Sequence, residues 1–198
     1  MENIIVISKR DKCPEGYELI DATSRNADPI LRSLSPFYLG PVECYDGLTA
    51  KNMENAWQYS KVYPEDIDEE GHPTASYFKW RDYGFNRTFA DRYPKGKGAV
   101  PCYSYWKTQK GYEHLGYIDA RKKIYIPLYA NAVCSTPGFK RITEMIEDGR
   151  KIALADFDGY DNMKLGMSIQ DVVNCETRKM GHAFVIKMLL DGILEDIV

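Results

Sequence analysis

Glu54, Gln58 and Lys61 fall at i, i+4 and i+7, the spacing that sets side chains on one stripe of an α-helix. A carboxylate, a carboxamide and an ammonium aligned this way can hold a polar ligand or stabilise a reaction that builds positive charge. The same residues can equally form a solvated face with an i,i+7 charge pair, the commoner use of a charged stripe. Trp57 flanks the stripe, while Met53, Ala56 and Val62 can face a core. A second group, Asp156, Asp158 and Asp161, surrounds Gly159 after the apolar run at 152–155. These carboxylates can do acid–base chemistry or merely shape a turn, and they lack the terminal Glu of a calcium loop. His72, His114 and His182 have no Cys or Ser motif beside them, so neither a triad nor a metal site is indicated. The five cysteines are widely separated and form no CxxC pair, which argues against structural zinc and against a disulfide framework.

Thr49 can cap a helix over 51–62 that Pro64 limits. Strands are predicted at 4–8, 17–20, 42–45 and 151–155, the third followed by the turn signal Asp46-Gly47. Further helices are predicted at 118–134, kinked by Pro127, and at 138–148 and 181–193. The segment 78–110 reads as irregular, within a basic and aromatic insertion at 65–117. Helices outweigh scattered short strands, which predicts an α+β, predominantly helical fold rather than a parallel doubly wound sheet. A chain of 198 residues without repeats or linkers fits a single compact domain.

The net charge of −3 gives no global attraction to nucleic acid or anionic membranes. Between 79 and 110, however, eight Lys and Arg stand against two Asp, interleaved with aromatic residues such as Trp80, Tyr103 and Trp106. That mixture suits single-stranded nucleic acid or nucleotide phosphates, or else a packed aromatic loop whose cations pair with the acidic run 65–70. The N-terminal apolar run is too short for a signal peptide and no run reaches membrane-spanning length, so a cytoplasmic protein with no membrane partner is expected. Nothing in the sequence sets an oligomeric state.

The order of these motifs carries a resemblance. Leu34, Ser35, Phe37 and Tyr38, then Asp46-Gly47, then Glu54, Gln58 and Lys61 reproduce the opening signature of the NADAR/YbiA-like superfamily, with Pro36 in place of Asn and Trp57 in place of Tyr. Asp156 and Asp161 reproduce the family's pair of acids five positions apart after a short strand, and 180–190 is similar to its closing helix, with Ala183 where Asn stands. The family's Trp-Gly after the second acid is absent. The resemblance implies a YbiA-like fold and hydrolysis of an N-glycosidic bond in a nucleotide or ADP-ribose derivative, without metal or other cofactor. In that chemistry one carboxylate stabilises an oxocarbenium-like ribose and another orients or deprotonates water. Glu54 is assigned the first role and Asp161 the second. Phe37, Tyr38, Trp57, Gln58, Lys61 and Asp156 are assigned to substrate binding. The alternative is a non-catalytic module that binds nucleotide or single-stranded nucleic acid through the same residues and the segment 79–110.

Overall fold

The computed structural model describes residues 3–197. In chain order the elements are β1 (Ile4–Ser8), β2 (Glu18–Asp21), α1 (Pro29–Arg32), β3 (Val42–Glu43), β4 (Thr49–Ala50), α2 (Met53–Tyr59), β5 (Lys61–Val62), α3 (Ala75–Asn86), β6 (Tyr103–Thr108), β7 (Gly111–Leu115), α4 (Tyr117–Ala120), α5 (Ile126–Val133), α6 (Pro137–Glu147), β8 (Ile152–Asp156), α7 (Ile169–Asn174), α8 (His182–Leu190) and α9 (Leu194–Ile197). The fold is mixed α+β, as the sequence indicates. None of the described helices is long and apolar enough to cross a membrane. Packing divides the chain into two units, one of residues 1–38 with 129–198 and one of residues 39–128. The insertion expected at 65–117 is therefore part of a larger unit.

In the first unit β8 lies between β1 and β2 and runs parallel to both, with Ile4 opposite Ile152 and Ser8 opposite Asp156. Every residue of β8 is buried, which explains its unbroken Ile-Ala-Leu-Ala run: a strand covered on both faces does not alternate. Residues His182 to Met188 of α8 are all buried, His182 and Lys187 included, and the helix packs on β1 and β8. Thr136 caps α6 by accepting from the Phe139 N–H at 3.1 Å.

In the second unit the helix at 51–62 is shorter than expected. Asn52, not Thr49, is the cap, accepting from the Asn55 N–H at 2.8 Å, and Thr49 lies in β4. The chain leaves the helix after Tyr59 because Lys61 and Val62 pair with Ser104 and Tyr103 of β6, so sheet pairing overrides the helical pattern. Lys61 thus sits on a strand rather than on the helical stripe. The segment 78–110 is also corrected: it holds most of α3, and β6 pairs antiparallel with β7 to form a hairpin. Gly84 is the reason α3 can lie against α2, since a Cβ there would stand 2.0 Å from the Tyr59 ring. Before Pro127 the helix widens into a π turn (Arg121–Tyr125), with the Ile126 N–H bonded to the Arg121 carbonyl; the proline expected to kink this helix follows that turn directly.

Candidate functional site

The second unit carries Glu54, Trp57, Gln58 and Lys61. Glu54 and Gln58 are buried on α2, and Gln58 Nε2 donates to Glu54 Oε1 at 2.9 Å. Lys61, although on β5, reaches back so that Nζ donates to Gln58 Oε1 at 2.7 Å. The carboxamide orientation is fixed by this chain, because its oxygen faces an ammonium and its nitrogen a carboxylate. The Lys61 ammonium also lies 4.8 Å from the Trp57 ring centroid, and Trp57 meets Tyr125 edge-on at 5.3 Å. A carboxylate, its relay and an aromatic wall are therefore brought together. A merely solvated stripe would not bury Glu54 at 6% exposure.

Between these residues lies Asn55, which sequence reasoning missed. It is fully buried and holds the loop after α3: Nδ2 donates to the carbonyls of Arg87 (3.2 Å) and Phe89 (3.0 Å), and Oδ1 accepts from the Asp91 N–H (2.8 Å). A polar residue on the apolar side of the helical period was the available signal.

The first unit carries Phe37, Tyr38, Asp156 and Asp161. Phe37 is half-buried, and Tyr38 is 59% exposed with the Arg32 guanidinium 5.2 Å from its ring. Asp161 keeps a partly exposed carboxylate that accepts from the Lys164 N–H at 3.1 Å and pairs with its ammonium at 3.2 Å. That is a turn-shaping contact, which a ligand group could share.

Asp156 is buried at the carboxyl end of β8, with Oδ2 3.0 Å from His182 Nδ1 and accepting from the Ala183 N–H at 3.2 Å. His182 Nε2 lies 2.8 Å from the Ala22 carbonyl oxygen. A carbonyl only accepts, so Nε2 carries a proton; Oδ2 is already an acceptor, so Nδ1 donates too. His182 is therefore an imidazolium paired with a carboxylate. Burial opposes ionisation of Asp156, but the His182 charge and hydrogen bond, with the N–H groups of Ala183 and Asp158, outweigh it and hold the carboxyl below its ordinary value. Gly181 permits this approach, since a Cβ would stand 2.2 Å from Asp156 Oδ2. His182, which no neighbouring motif marks in the sequence, is thus the electrostatic partner of Asp156.

Four of the cations at 79–110 pair with acids: Arg81 with Asp82, Arg87 with Asp91, Lys95 with Glu65 and Asp66, and Lys107 with Asp46. Of these, Lys95 alone pairs with the acidic run 65–70 as the packed-loop alternative expects; the other three find acids elsewhere.

The profile of DUF6939, a family of unknown function, matches residues 6–172. The chain belongs to DUF6939. No curated protein and no solved structure matches it. The DUF6939 match takes in Glu54, Gln58, Lys61, Asp156 and Asp161, and it ends within α7, ahead of His182.

Proposed function

We propose that this DUF6939 protein hydrolyses an N-glycosidic bond in a nucleotide or ADP-ribose derivative, with Glu54 as the carboxylate that stabilises the ribosyl cation and Asp161 as the second carboxylate. The observation that carries this reading is the Glu54–Gln58–Lys61 hydrogen-bond chain beside Trp57, buried at its Glu54–Gln58 end. A carboxylate fixed before substrate arrives can oppose developing charge at C1′ without reorganising, which is where electrostatic catalysis gains most. Lys61 can meet a phosphate while its contact with Gln58 holds the relay, and Trp57 offers a face for a base. The NADAR/YbiA-like resemblance supplies the reaction class. Asp161 is supported by its motif position and its partly exposed carboxylate.

The test is release of free base from a panel of ribosylated bases, nucleotides and ADP-ribose derivatives, followed chromatographically. Glu54→Gln keeps the side-chain shape and removes the charge, so turnover falls about 10²-fold or more. Undiminished release by the variant, or no release across the panel by the native protein, overturns the proposal. Because Gln58 already occupies Glu54 Oε1, the arrangement also suits holding a ligand without turnover. A nucleotide-binding module is therefore the second reading, marked by a thermal shift with ADP-ribose and no base release.

A further inference from the structure

The hairpin β6–β7 presents a concave surface, contained in the second unit and separate in its residues from Glu54. Alternation along β6 turns Ser104 and Trp106 inward and leaves Tyr103 and Tyr105 on the opposite face, which Tyr112 and His114 of β7 share. Tyr105 and Tyr112 stack at 5.2 Å with planes 8° apart, and His114 stacks on Tyr103 at 3.9 Å and 6°. Phe78 of α3 stands edge-on to Tyr105 at 5.6 Å. Phe78, Tyr105, Tyr112 and His114, with His72 and Pro73, line a groove of about 560 Å³, within the size range of small-molecule sites.

The walls carry a few polar groups. Among the described residues, the Tyr105 hydroxyl and the His114 ring nitrogens make no hydrogen bond with the protein. Burial, helped by nearby His72, lowers the His114 pKa, so its ring is neutral near pH 7 and can donate or accept.

The charge at the rim selects among flat ligands. His72 stands 3.5 Å from Glu70 and 3.9 Å from Asp68, which places these carboxylates at the groove edge. Tyr103 donates to the Gly71 carbonyl at 2.7 Å and fixes the acidic turn against the sheet. Two cations lie over the lining rings, but Arg81 is paired with Asp82 and Lys107 with Asp46. With those cations paired, the rim carries the carboxylates of Asp68 and Glu70 beside His72. Electron-rich ring faces and an acidic rim favour a flat cation and oppose polyphosphate.

We propose that this groove binds a planar heteroaromatic cation, of the N-alkylated base class, and rejects the same ring when it carries a polyphosphate. The ring lies against Tyr105 and Tyr112, its edge meets the Tyr105 hydroxyl and His114, and the Asp68–Glu70 turn balances its charge.

Calorimetric titration of the full chain compares 7-methylguanosine, guanosine and 7-methylguanosine triphosphate. 7-Methylguanosine binds about tenfold more tightly than guanosine, and the triphosphate more weakly than either. Tyr112→Leu removes half the stacked pair and abolishes binding. Glu70→Lys alters a surface side chain and keeps the fold, but erases the preference for the cation. Equal binding of guanosine and 7-methylguanosine, tighter binding of the triphosphate, or an unchanged preference in Glu70→Lys overturns the proposal. If Tyr112→Leu fails to fold, the three-ligand comparison in the native protein and Glu70→Lys decides.

Discussion

Replacing Asp156 by Asn keeps the side-chain volume and removes the charge opposite His182. The carboxamide has one acceptor oxygen, whereas Asp156 receives N–H groups from His182 and Ala183 on one oxygen and Asp158 on the other. Whichever way the amide turns, its NH₂ meets an N–H group. Breaking a buried ion pair costs about 3–5 kcal/mol. Deprotonation of the abandoned imidazolium relieves part of that, so the loss expected at pH 7 is about 3 kcal/mol. In urea unfolding followed by circular dichroism, an m-value of about 2 kcal/mol/M turns this into a midpoint lower by roughly 1.5 M. The acid limb gives a second readout. The folded pKa of Asp156 is lowered, so the unfolded chain binds the proton more readily. The stability from Asp156 is thus fully present above the unfolded carboxyl pKa of about 3.9 and is lost as pH falls through the folded value. Asp156→Asn removes that part of the acid limb. A loss below 1 kcal/mol at pH 7, with an acid limb like that of the native protein, would refute the buried ion pair.

Gly84→Ala has two opposed effects: better helix propensity by about 1 kcal/mol, and a methyl group 2.0 Å from the Tyr59 ring, which is itself held by a 2.7 Å bond to Asp91. The steric effect wins, giving a net loss of about 2 kcal/mol in thermal or urea unfolding; a stabilised variant would show that α2 and α3 do not pack this closely. Asn55→Leu abandons two carbonyls and one N–H of the 87–91 loop, and a loss of about 3 kcal/mol is expected, with faster amide exchange at Asp91. Unchanged exchange at Asp91 would rule out that anchor.

Local chemistry in the sequence determined much of the element inventory. Ile4–Ser8, the Asp46-Gly47 turn and the strand ending at Asp156 lie where propensity and turn residues place them. Helix ends were less legible: Asn52 is a better cap than Thr49 and stands just before Met53, so its signal was present but competed with another polar residue. The hairpin was obscured because the prolines and glycines before Tyr103 suggest loop, although the Tyr-Ser-Tyr-Trp alternation that follows is strand-like.

Within the candidate site, the i, i+4 relation of Glu54 and Gln58 was determined by the sequence, because a helix fixes which neighbours share a face. The position of Lys61 was not. Its bond to Gln58 arises from a strand, and the strand forms because residues some forty positions later pair with it. The parallel sheet depends on the same kind of information, since Ile4 meets Ile152 through hydrogen bonds that carry no trace in either local run. Asp156 and His182 are the sharpest instance. Each is an ordinary polar residue in its own segment, and only the folded chain buries both, leaves them no solvent, and makes ion pairing the state that satisfies their hydrogen bonds.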